Sequence, residues 1–161
     1  MELSLNTIVL STATLLTGLS AGLFYAWQIS VIPGTKRTSD DAYLETMQHI
    51  NRAIINPFFM LIFFGSFIAQ IISLFLFAGL TLSFWLLIAA TIANAITLGI
   101  TGSGNVPLNN ELDNVDLKLL TEQLKNRFRI SYELPWNRLH LIRTVFAVLS
   151  FILLLLVFLT T

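Results

Sequence analysis

The chain contains no cysteine, which excludes disulfides, thiolate metal sites and a thiol nucleophile and leaves the redox compartment open. Charge is scarce as well. Asp, Glu, Lys and Arg make up 11% of the 161 residues and cancel to a net charge of zero, where an ordinary soluble domain carries about 25%. No basic run points to nucleic acid or to an anionic lipid surface. There is no zinc-ligand spacing, phosphate-binding glycine loop, GxSxG or dinucleotide fingerprint, and no repeat or low-complexity tract.

Apolar residues take the place of the missing charge. They form 55% of the chain, and the mean hydropathy is +0.78, so the sequence is that of an integral membrane protein. A helix needs roughly 20 apolar residues to cross the hydrocarbon, and four segments reach that length, at about 5 to 32, 57 to 79, 82 to 101 and 139 to 160. The first resembles a signal peptide in position only. Its leading "MELSLN" has no Lys or Arg and its apolar run is too long, so it reads as a retained helix. "AGLT" joins the second and third spans in a tight hairpin. The expected fold is all-α: one integral membrane four-helix bundle over residues 1–161, with amphipathic helices in its two long connections.

Basic residues are absent before the first span, in the hairpin loop and after the fourth span. All nine (Lys36, Arg37, Arg52, Lys118, Lys125, Arg127, Arg129, Arg138 and Arg143) lie in or beside the two long connections. The positive-inside rule places those connections in the cytoplasm and both termini outside, in the inner membrane if the source is bacterial. Thr14, Gly18, Gly22 and Ala26, and likewise Gly65, Ala69 and Ser73, form four-residue rows of small side chains where the first two spans should meet. Gln70 and Asn94 read as interhelical hydrogen-bonding groups or as ligand contacts. In the first connection, Ser39 or Asp40 can cap a helix near 40 to 55 whose apolar stripe is Tyr43, Met47, Ile50 and Ile54. In the second, Leu117, Leu120, Leu124 and Phe128 predict an amphipathic helix near 115 to 129, lying against the bundle mouth or the headgroups.

Polar chemistry gathers at that same end. Gln48, His49 and Asn51 precede Asn56-Pro57. Asn105 and Asn109 follow the third span, where "GSGN" and Pro107 should stop the helix. Tyr25 and Trp27 lie near the exit of the first span. In "ELPWNRLHLIRT", Pro135 suits a first helical position, and Trp136, His140 and Arg143 then share one face. Arg143 sits a turn inside the apolar run and either faces a wet cavity or snorkels to headgroups. His140 reads as a general base, a metal or haem ligand, or a hydrogen-bonded structural residue. His49 with His140 is a further, weaker metal or haem pair. Asn105 and Asn109 either cap exposed backbone or present amides to a pocket suited to a neutral aromatic ligand bearing carbonyl or phenol oxygens.

"GLFYAW…IPG", "MQHINRAIINPFF", "GNVPLNNEL" and "W…H…RT" together resemble the DUF1772, or anthrone oxygenase, family of small four-helix membrane proteins over nearly the whole chain. The motif falls on Asn51, Asn56, Pro57, Asn105, Pro107, Asn109, Trp136, His140 and Arg143; His49 is not clearly part of it. The resemblance implies oxidation of anthrones to anthraquinones, the reaction of fungal members, with O2 and without an obligatory organic cofactor; no cofactor or metal is expected. It casts His140 as the base, Arg143, Asn105 and Asn109 as donors to the developing oxyanion, and Trp136 and Tyr25 as an aromatic wall. Gln48, Asn51 and Asn56 complete the expected substrate contacts. The partners are then a hydrophobic aromatic molecule, O2 and the bilayer, with room for a homo-oligomer and no role for nucleic acid. The competing reading is a non-enzymatic membrane protein that binds a lipid, quinone or haem, or a small subunit of a larger complex.

Overall fold

The computed structural model describes residues 4–79 and 81–160. The two chain ends and Leu80, within the "AGLT" hairpin, lie outside the described residues. Among the described residues there is no strand. Five helices make up the fold: α1 (Leu5–Thr35), α2 (Asp40–Ala53), α3 (Pro57–Leu76), α4 (Leu82–Asp113) and α5 (Glu122–Thr160). All but α2 are long and apolar enough to cross a membrane. The chain is a multi-pass membrane protein.

Each start has a local cause. Ser39, Asn56 and Thr81 accept hydrogen bonds from the backbone of Ala42, Phe59 and Phe84, at 3.4, 3.0 and 3.3 Å, so each caps its helix. Pro57 takes the first position of α3, where a missing N–H costs nothing. At the hairpin end of the bundle, Asn6 donates to the Leu76 carbonyl and Ser83 to that of Thr160, which ties the start of α1 to α3 and the end of α5 to α4.

Pro107 does not stop the third span. α4 continues to Asp113 because Thr101–Asn105 forms a π turn in which the Val106 N–H reaches back five residues to the Thr101 carbonyl. The extra residue widens the helix just ahead of the proline, whose ring and missing N–H would clash with an ordinary turn. α1 repeats the device at Trp27–Val31, where Ile32 bonds to the Trp27 carbonyl and Pro33 follows. The second connection differs too. Its expected separate helix near 115 to 129 is a short helical turn at Leu117–Leu119 followed by α5, which runs unbroken from Glu122. Pro135 therefore lies inside a helix rather than at its start. One buried stripe explains the continuity: Arg129, Tyr132, Trp136, His140, Arg143, Ala147, Ser150, Leu154 and Val157 follow at helical spacing along α5.

Three packing layers stack along the bundle. Leu10, Leu87, Leu154 and Val157 fill the hairpin end. In the middle, Gln70 Nε2 donates to Thr17 Oγ1 at 2.8 Å and Ser150 Oγ at 3.2 Å, and Asn94 donates to Ser66 at 3.2 Å. These amides join α3 to its three neighbours. At the connection end Tyr43, Leu44, Met47, Leu112, Leu117, Tyr132 and Trp136 form a core that roofs the bundle. The buried face of α2 includes Leu44 and Asn51, while Ile50 and Ile54 of the expected stripe line the cavity below.

Arg129 locks this roof. It reaches Glu133 at 2.7 Å, Asp40 at 2.9 Å and the carbonyls of Thr38, Lys36 and Thr35, with its guanidinium 4.4 Å from the Tyr43 ring centre. Hydrogen bonding from Asn126, with Arg129 beside it, holds the Asp40 carboxyl below its ordinary range despite some desolvation. Burial pushes the Tyr43 phenol well above its own. The small-residue row of α1 does not serve as a uniform seam with α3. A Cβ on Gly18 would stand 2.8 Å from the Phe151 ring of α5, and one on Gly22 would meet nothing within 4 Å. α3 approaches α1 through Gly65 against Leu16, through Gln70–Thr17 and through Phe63–Phe24.

Candidate functional site

Below the roof a cavity of about 420 Å³ lies between α1, α3, α4 and α5, with α2 closing one side. Its walls are mostly aromatic and aliphatic, from Phe24 and Trp27 of α1, Phe59 and Phe63 of α3, and Trp136 of α5. At its rim stand Ile55, Phe64 and Val106, all apolar and 71%, 48% and 41% exposed. An exposed apolar rim of that kind suits contact with lipid or with another apolar surface.

The polar groups converge at the inner end. His140 and Arg143 are both buried on the same face of α5 and both line the cavity. His140 Nε2 lies 3.1 Å from the Phe24 carbonyl, and that acceptor fixes the ring as the Nε2–H tautomer. Nδ1 then accepts from Arg143 Nε at 3.1 Å and Nη2 at 2.8 Å. The Trp136 ring stacks on the imidazole, 5.0 Å between centres and 7° from parallel. The Arg143 guanidinium lies 4.6 Å from the Phe24 ring centre and 5.3 Å from that of Trp136. Its remaining protein contact is a long one, from Nη1 to Thr101 Oγ1 at 3.4 Å.

No carboxylate among the described residues pairs with Arg143. Leaving a charge buried without its counter-charge costs about 3–5 kcal/mol, which makes Arg143 a candidate functional group. At the cavity mouth Arg52 of α2 and Asp113 of α4 neutralise each other at 2.5 Å.

A second tier of hydrogen bonds fixes the walls. Asn109 Oδ1 accepts from Trp136 Nε1 at 2.7 Å and from the Tyr132 hydroxyl at 3.2 Å. Asn51 donates to the same hydroxyl at 3.2 Å. Both asparagines line the cavity. Asn105 is fully buried and does not. Its Nδ2 donates to the Trp136 carbonyl at 3.3 Å, bracing the turn before His140, and its Oδ1 is buried with no partner among the described residues.

The other expected contacts lie elsewhere. Tyr25 is 53% exposed and takes no part in the wall. Trp27, half-buried and about one turn on from Phe24, lines the cavity instead. Gln48 donates to the Leu112 and Val115 carbonyls at 2.8 and 2.9 Å and clamps the end of α4. Asn56 is spent on capping α3. His49 lies exposed on α2, 3.9 Å from Glu45, and lines a separate polar groove, so it does not meet His140. Among the described residues no three His, Asp or Glu side chains gather as a metal site. Phe24, Phe63, Thr101 and Tyr132 were not singled out in the sequence. Tyr132 had a signal, lying one turn ahead of Trp136 on the face that carries His140.

Compared with known proteins, residues 58–153 match the model of a family described as anthrone oxygenase. No curated protein and no solved structure matches the chain.

Proposed function

The chain belongs to the anthrone oxygenase family, and from that membership and the cavity we propose that it oxidises a lipid-soluble phenolic polycycle of the anthrone type with O2. One observation supports the reading above the rest: a buried, carboxylate-free Arg143 bonded to His140 at the inner end of an aromatic-walled cavity.

The chemistry needs little from the protein. The CH2 of an anthrone is flanked by two aromatic rings and conjugated to a carbonyl, so a modest base removes its proton. His140 is the base in this reading, and Arg143 stabilises the enolate oxygen that results. Asn109, with Oδ1 held by Trp136 and Tyr132, keeps Nδ2 as a second donor for that oxygen. The electron-rich carbanion reduces O2 and forms a C–O bond, giving a hydroperoxide. Loss of water leaves the quinone carbonyl. In sum CH2 and O2 become C=O and H2O, and the proton taken by the base is returned.

Phe24, Trp27, Phe63 and Trp136 hold the flat rings and exclude water, which strengthens the Arg143 field. Asn105 and Thr101 act as positioning residues. The substrate enters sideways past Phe64 and Val106. The connection end, which carries all the basic residues, is assigned to the cytoplasm.

The test is to supply an anthrone and 18O2 to the protein in nanodiscs and follow the quinone by mass spectrometry. Quinone should form faster than in empty nanodiscs, with one labelled oxygen per molecule. A rate no greater than that of empty nanodiscs counts against the assignment.

A further inference from the structure

We propose that the cavity is built for an anion, a flat aromatic molecule bearing a carboxylate or an ionised phenol whose charged oxygen pairs with Arg143 and draws it away from His140 Nδ1. The inference rests on the cavity being the substrate site and adds the charge class of the molecule that enters it.

Two arginines of α5 make the case by contrast. Arg129 and Arg143 are each 8% exposed. Arg129 is compensated by two carboxylates, Asp40 and Glu133, and by three backbone carbonyls. Among the described residues Arg143 has only neutral acceptors, an imidazole nitrogen and a hydroxyl at 3.4 Å. The other charges on the cavity wall, Arg52 and Asp113, cancel each other. The lining therefore carries one unbalanced positive charge, placed where a ligand can reach it. Phe24 and Trp136 lie over the guanidinium. They leave its edge of N–H donors for a planar oxyanion, the geometry of bidentate recognition.

The same contacts give the anion a second effect. As arranged, both nitrogens of His140 are engaged, Nε2 with the Phe24 carbonyl and Nδ1 with Arg143. Nδ1 has no lone pair left for a substrate proton. A carboxylate or phenolate is a far stronger acceptor for a guanidinium than a neutral imidazole is. It competes for Nε and Nη2 and releases the Nδ1 lone pair into the cavity. The base becomes available when such an oxyanion arrives, as with an anthrone that carries an ionised phenol, so that pairing with Arg143 and release of the base are one event.

Equilibrium dialysis of the protein in nanodiscs, with empty nanodiscs subtracted for lipid partition, measures the preference directly. The probes are anthracene-9-carboxylate and 9-anthracenemethanol, close in shape and different in charge. Wild type should bind the carboxylate at least about tenfold more tightly, the scale of one charge-assisted hydrogen bond. Arg143→Gln should bind the two alike, and Arg143→Lys should keep part of the preference. Equal affinities in wild type overturn the proposal, and so does a full preference that survives Arg143→Gln. The wild-type comparison alone decides if the glutamine variant does not fold. Binding is read without turnover, so anion preference and anthrone oxidation can fail separately.

Discussion

Asn109 works with its acceptor, and that makes it a sensitive residue. Its Oδ1 satisfies two donors at once, Trp136 Nε1 and the Tyr132 hydroxyl. Asn109→Ala leaves both unpaired beneath the roof, at about 1–3 kcal/mol for each group left unsatisfied. Asn109→Asp retains the acceptor and should recover most of the loss. Thermal unfolding in detergent separates the two, and equal melting of both variants would contradict the assignment. Gln70→Leu should act on stability alone, because Gln70 bonds to Thr17 and Ser150 in the middle of the bundle, away from the cavity. Interhelical hydrogen bonds of this kind contribute about 0.6 kcal/mol on average and up to about 1.7. A lowered melting point with unchanged kcat and KM is the expected result. Arg143→Leu should weaken ligand binding and rate together, since no carboxylate among the described residues balances this buried cation.

At the scale of elements, α1 offers a paired experiment on two glycines one turn apart. A leucine at Gly18 must displace the Phe151 ring, while one at Gly22 projects into open space. Gly18→Leu should lower stability by roughly 1–3 kcal/mol, the usual cost of overpacking, and Gly22→Leu should be tolerated. Equal yields and melting points would show that Gly18 is not packed against α5. These two positions also show what the sequence could and could not disclose. Small residues every four positions marked a face of α1, but which neighbour each one meets depends on how the helices cross. The Trp136–His140–Arg143 face was legible because 3.6-residue periodicity survives intact inside one continuous helix. Tyr25 stood beside the right residues and on the wrong face. The buried stripe Thr17, Ala21 and Phe24 leads to Trp27, three residues on from Phe24. The π turns were the least legible feature, since Pro33 and Pro107 read as stops. Whether a proline ends a helix or is absorbed by one extra residue is decided by the packing around it, which local propensity does not contain.

On the scale of the whole molecule, the bundle is polar at one end and apolar at the other, and the cavity lies just below the polar roof. The cysteine-free background makes the proposed orientation simple to test. Ser4→Cys at the hairpin end and Arg37→Cys at the connection end can be treated in intact cells with an impermeant thiol reagent. Ser4→Cys should label before lysis and Arg37→Cys only after it. The reverse pattern would invert the topology. In the proposed function, the roof, the aromatic walls and the apolar rim form a chamber that takes a flat hydrophobic molecule from the bilayer and presents it to one base and one cation. If the His140–Arg143 unit drives oxidation there, oxygen uptake with a hydroxylated anthrone in nanodiscs, wild type beside His140→Ala, reads its contribution. Wild type should consume oxygen well above empty nanodiscs, and His140→Ala, folded and still binding ligand, should be slower by roughly 10²-fold or more, the scale of losing a positioned base. Uptake by His140→Ala equal to that of wild type would contradict the account.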